Sequence, residues 1–148
     1  MIFAPDLSTV THGIQLAVAP VFLLTAVSGM IAAVAGRLAR IIDRARSLEA
    51  TLPAAPEASA SSVHAELRVL SRRARLVQRA ITLSTACALL ICVVIVALFA
   101  GVALLRDLSW LIMVLFIAAL CAFIGALLAF LLEIQAATAS LRFGPGPH

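Results

Sequence analysis

The sequence predicts an all-α membrane protein with three transmembrane helices. The first two extend beyond the bilayer as a cytosolic antiparallel coiled-coil hairpin. Three observations lead there. Hydrophobic residues make up 64% of the 148 residues and charged residues 12%, whereas a soluble domain is roughly 45–50% apolar. Three uncharged apolar runs each exceed the about 20 residues a helix needs to cross hydrocarbon. Nine of the eleven arginines fall in the single stretch 37–79, between the first two runs. Neither a soluble core of this size nor a disordered chain accommodates such a composition.

The runs are Gly13–Gly36, Ala80–Leu105 and Leu108–Leu132. They are continuously apolar rather than alternating. Backbone polar groups inside a bilayer are satisfied only in helices or closed barrels, so helices are expected. Little more than Arg106-Asp107 joins the second run to the third, which forces an antiparallel pair. Trp110 follows that link, where an indole anchors at the interface. The opening segment MIFAPDLSTVTHG has no basic region and carries Asp6. The first run is therefore expected to stay in the mature protein rather than leave as a signal peptide.

The stretch 37–79 carries nine arginines against Asp43, Glu49, Glu57 and Glu66, a net charge of +5. A basic block between apolar spans marks the cytoplasmic side and meets anionic lipid. That places the N-terminus outside and residues 133–148, a helix end and tail, inside. Nucleic acid is not an expected partner, because no aromatic residues interleave with the arginines as a stacking surface. Leu38, Ile41, Ala45, Leu48 and Leu52 follow alternating three- and four-residue spacing, as do Val63, Leu67, Leu70, Ala74 and Val77. These are heptad seams. The proline- and alanine-rich segment 53–61 between them reads as a turn. Folded back, Leu38 pairs with Val77, Ile41 with Ala74, Ala45 with Leu70, Leu48 with Leu67 and Leu52 with Val63. No helix breaker separates either seam from its neighbouring apolar run, so two long helices are expected to leave the membrane. The alternative is a pair of amphipathic helices lying on the membrane surface.

The segments QLAVAPVFLLT (15–25), RLARIIDRARSLE (37–49), RRARLVQRAI (72–81) and LLEIQAATASLRFG (131–144) resemble the bacterial multi-pass membrane family known as domain of unknown function 2721. The resemblance spans nearly the whole chain and is most specific at RLARIIDRAR. It implies a bacterial inner-membrane protein of about three spans. It implies no activity, substrate or catalytic residue.

The residues themselves point away from an enzyme. Ser28, Ser84, Cys87, Cys92 and Cys121 lie in the apolar runs without a His or Lys to activate them. The sequence has no paired carboxylates, metal-ligand spacing or glycine-rich phosphate loop, so no cofactor or metal is expected. The three cysteines read as buried packing residues. Glu133, which ends the third run, is the most informative position, since carboxylates at membrane depth face protein or water. Cys121, Gly125, Ala129, Glu133 and Ala137 recur every four residues, a small-residue line suited to close helix packing. An ion pair of Glu133 with Arg37 or Arg79, at the same expected depth, is the structural reading. A proton- or ion-binding carboxylate is the functional one.

In the first helix Pro20 is expected to kink the span and free the carbonyl of Leu16. Thr25, Gly29 and Ala33 form a small stripe for packing. Gln15, Thr25 and Ser28 are the candidate pore-lining residues. Three helices make a thin bundle, so a homo-oligomer is expected. Its expected role is an ion or small-solute channel. The alternative is a non-conducting scaffold or accessory protein whose cytosolic hairpin binds a partner.

Overall fold

A computed structural model describes residues 7–51, 57–104 and 106–139. They form three helices: α1 (Leu7–Thr51), α2 (Glu57–Leu104) and α3 (Ser109–Ala139). All three are long and apolar enough to cross a membrane. With 45 and 48 residues, α1 and α2 run far beyond the about 20 that a bilayer needs. Each passes without a break between an apolar run and the arginine-rich stretch. Pro20 lies inside α1, which stays helical through it.

Of the turn expected at 53–61, residues 57–61 are helical instead, and 53–56 lie outside the described residues. α2 already begins at Glu57, immediately after Pro56. The two prolines are the only residues there that a helix interior excludes. The Ala and Ser that follow Pro56 are helix-tolerant. Of the hairpin seam, Leu52 lies outside the described residues.

The chain groups into two compact units, each taking a piece of every helix. One comprises the residues up to Met30 and 83–124, the other 31–82 and those from Gly125 onward. In the first unit the buried residues include Ala17, Val27, Cys87, Ile91, Val94, Ala97 and Ala119. Gly13 is buried there too, and a Cβ on it would sit 3.7 Å from Val102 and 3.9 Å from Phe99. Both are ordinary van der Waals distances, so the site has room for a methyl group. In the second unit the core holds Val34, Ile41, Leu48, Leu70, Val77, Ala80, Ala126 and Ala129, together with Glu133.

Within each helix a series of the buried positions recurs every seven residues. In α1 these are Gly13, Pro20, Val27, Val34, Ile41 and Leu48. In α2 they are Leu70, Val77, Ser84 and Ile91. A repeat of seven keeps one face of a helix against its neighbours over many turns. The opposite faces carry exposed large apolar side chains, among them Phe22, Leu89, Val96, Ile117 and Leu128. Such surface suits contact with lipid.

Between α2 and α3 the backbone closes tightly. The Arg106 N–H donates to the Gly101 carbonyl at 3.2 Å, and the Ile112 N–H donates to Leu108 at 3.0 Å. The Asp107 carboxylate accepts the Ser109 N–H at 3.0 Å, satisfying one of the free donors at the start of α3. The Ser109 hydroxyl first, and its N–H second, hold the Asp107 carboxyl below its usual range. A depressed folded pKa means that this contribution is present above the unfolded value. It is lost as pH falls through the folded one. Replacement Asp107→Ala should therefore lower the thermal midpoint in detergent by a few degrees at pH 7. Asp107→Asn, which can still cap, should hold that midpoint and show a smaller decline than the wild type on acidification. Thermal unfolding of the three proteins at pH 7 and pH 3 measures both.

Candidate functional site

The heptad on α3 decides where Glu133 points. Ala119, Ala126, Ala129 and Glu133 are buried, and Ala122 and Ala136 are half-buried. These positions alternate three- and four-residue steps. Glu133 occupies the next place on a face otherwise made of alanine. It is fully buried at the end of an uncharged run of the helix.

Two arginines meet it inside the second unit. Arg73 donates from Nε at 3.2 Å and from Nη2 at 2.9 Å to Glu133 Oε1. The Nε of Arg37 lies 3.1 Å from Oε2. Its N–H is not aimed along that line, so Oε2 is in ion-pair range yet accepts no hydrogen bond among the described residues. The Arg37 and Arg73 side chains are 30% and 21% exposed, so solvent screens the triad only in part. The Arg37 guanidinium also sits over the Phe130 ring, 5.3 Å from its centroid, a cation–π distance. Glu133 thus ties α3 to both α1 and α2.

A second pair lies further along. Arg44 donates from Nε at 3.0 Å and from Nη2 at 2.9 Å to Glu66 Oε1. Between the two pairs is a cavity of about 260 Å³ lined by Arg37, Arg40, Ile41, Arg44, Leu70 and Arg73. Ile41 and Leu70 are buried and give it an apolar floor. Four of its six lining residues are guanidinium donors. The lining holds no nucleophile and no general base. Its chemistry is that of an anion site.

One family model, described as a protein of unknown function, matches residues 17–143. The chain belongs to the DUF2721 family. No curated protein and no solved structure matches it. Every residue of the DUF2721 match from Arg37 to Glu133 that builds the triad and the cavity lies inside the matched span.

Several expected positions move. The second partner of Glu133 is Arg73, not Arg79, which is exposed. Arg79 adjoins the apolar run and so shares its depth, but it lies two residues past buried Val77, on another face. Arg73 lies four residues before Val77 and seven before Ala80, on the buried side. Helical phase, rather than distance from the apolar run, would have found it. On α3, Cys121 is exposed and Gly125 half-buried, while Ala129 packs. A strict four-residue line rotates about 40° per step around the helix and leaves the buried face. Cys92 is also exposed, and only Cys87 is buried; all three thiols are free.

On α1 the stripe Thr25, Gly29 and Ala33 is exposed, and so are Gln15 and Ser28. A Cβ on Gly29 would meet nothing within 4 Å. The hydroxyls of Thr25 and Ser28 donate to the carbonyls of Val21 and Leu24, so they are satisfied by their own helix. Pro20 is buried and lines, with Leu16 and Ala19, an apolar cavity of about 330 Å³. Ser84 is buried, and its hydroxyl has no hydrogen-bond partner among the described residues. The hairpin-seam residues Ile41, Leu48, Leu70 and Val77 are buried; Leu38, Ala45, Val63, Leu67 and Ala74 are half-buried. No cluster of His, Cys, Asp or Glu among the described residues could hold a metal ion.

The triad predicts non-additive stability. Arg37→Ala or Arg73→Ala alone leaves Glu133 one guanidinium. The double substitution leaves a buried carboxylate without compensation and should destabilise by about 3–5 kcal/mol. That loss should exceed the sum of the single losses, as read by a double-mutant cycle of detergent unfolding.

Proposed function

We propose that the protein is a non-enzymatic integral membrane protein that acts as a homo-oligomer and conducts ions or small solutes. The observation that carries this reading is the outer face of α1. Gln15, Thr25, Gly29, Ala32, Ala33 and Gly36 are all exposed on the single chain, and a Cβ on Gly29 or Gly36 would meet nothing within 4 Å. Lipid supplies no hydrophobic drive between helices, so association in a bilayer relies on close packing over small side chains. This face offers such packing to a second copy. Gln15 is its most polar group and would face a pathway enclosed by several copies of α1.

The arginine-rich stretch fits a cytosolic coiled-coil hairpin at the mouth of that pathway. Burial of Ile41, Leu48, Leu70 and Val77 and the cross-helix Arg44–Glu66 pair support it. The positive field of such a ring would draw anions and repel cations. The charge distribution further favours a plasma-membrane location, with the N-terminus outside and the C-terminus cytoplasmic. Reporter fusions at position 55 and after position 148 should both read cytoplasmic. A periplasmic signal at either would reverse the orientation.

Gly29→Leu tests the assembly without disturbing the protomer, because the new side chain enters open space. The wild type should run as a closed oligomer in nanodiscs and pass current in planar bilayers. The variant should keep its thermal midpoint, fall to monomer and pass none. A wild type that is monomeric in mild detergent and in nanodiscs, and passes no current, would overturn the reading. A scaffold whose hairpin holds a partner would then stand in front. The exposed Arg46, Arg68, Arg72, Arg75 and Arg79 favour an acidic partner for it.

A further inference from the structure

We propose that the arginine-lined cavity of the second unit binds a phosphomonoester group at the membrane surface. This inference concerns that cavity alone and holds whether or not the assembly conducts. The first ground is charge. Arg37, Arg40, Arg44 and Arg73 line the cavity, and their only carboxylate partners among the described residues are Glu133 and Glu66. The cluster is left with two positive charges. A phosphomonoester carries about −1.5 to −2 at pH 7 and three strong acceptor oxygens, which matches that excess.

The second ground is the supply of donors. A guanidinium has five N–H groups in a planar fork. Arg73 spends Nε and one Nη2 hydrogen on Glu133, and Arg44 spends the same two on Glu66. In both, Nη1 has no ion-pair partner among the described residues. Arg37 holds Nε in ion-pair range of Glu133 without a hydrogen bond, and its Nη groups have no ion-pair partner among the described residues. Arg40 has no ion-pair partner among the described residues and keeps its whole fork. The carboxylates thereby act as positioning groups, holding three of the four forks while leaving their outer edges for an anion.

The third ground is place and size. Arg37 directly follows the uncharged run 13–36, and Glu133 directly follows the run 108–132. The cavity therefore sits at the depth where lipid phosphates lie. Its volume of about 260 Å³ falls below the about 300–1,000 Å³ of pockets for drug-sized ligands and suits a small headgroup. The buried Ile41 and Leu70 beneath it lower the local dielectric and strengthen each charged contact.

Phosphate of this kind comes from a lipid headgroup or from solution, and two arms of one experiment separate these sources. Full-length protein in a neutral maltoside detergent is titrated with dihexanoyl phosphatidic acid, with inorganic phosphate and, as control, with dihexanoyl phosphatidylcholine. The thermal midpoint is the readout. The wild type should show a saturable upward shift with phosphatidic acid and little with phosphatidylcholine. An equal shift with inorganic phosphate at the same concentration would identify free phosphate as the ligand. Arg40→Gln removes a fork with no structural partner and should weaken the response about tenfold, the loss of a charge-assisted hydrogen bond. Arg40→Lys should weaken it less. Arg46→Gln, on the same helix outside the cavity, should leave it unchanged. The proposal is overturned if neither phosphate probe gives a saturable shift, or if phosphatidylcholine matches phosphatidic acid. It is also overturned if Arg40→Gln and Arg46→Gln weaken binding alike, since that would mean a diffuse field.

Discussion

An ionised carboxylate moved from water into a low-dielectric interior costs several kcal/mol even after relaxation. Glu133 bears that cost at the end of an apolar helix, with no exposed surface of its own. It persists because Arg37 comes from α1 and Arg73 from α2, so the compensation comes from both neighbouring helices. Turning α3 by a single residue, about 100°, would carry the carboxylate away from both. The ion triad therefore sets the rotational phase of α3 in the second unit. It also governs which guanidinium groups are spent and which remain free around the cavity beside it.

The packing within each unit follows the logic of a bilayer. Hydrocarbon is no better inside the protein than outside it, so apolar burial alone cannot hold helices together. α3 instead offers Ala119, Ala126 and Ala129 on its buried face. Short side chains bring the backbones close and raise the dispersion contacts per residue. The large side chains that would fill a soluble core, such as Phe22 and Leu128, are turned outward. Hydroxyls in the spans are handled locally, as Thr25 and Ser28 show by bonding the carbonyl four residues earlier.

Two surfaces carry the functional readings, and neither has a partner among the described residues. One is the small-residue face of α1, where glycines look onto open space. The other is the set of guanidinium edges left over after Glu133 and Glu66 have taken their share. The first suits a second copy of the chain and the second suits an anion.

Membrane residence, three helices and the continuity of α1 and α2 follow from composition, run length and the lack of a breaker between residues 20 and 51 or between 57 and 104. These are local properties, and each residue contributes to them independently of what lies across the bundle. The burial of Glu133 was legible too, because a carboxylate closing an apolar run must face something other than lipid. Arg73 in place of Arg79 was not, and neither was the alanine heptad in place of the line through Cys121 and Gly125. Both depend on the phase of one helix against another, and a difference of two residues turns a side chain to another face while barely changing its depth. The Arg44–Glu66 pair and the cavity beside it depend on side chains 22 residues apart meeting across α1 and α2. Sequence spacing within a helix reports which residues share its faces, but only packing of the helices together decides which charges meet.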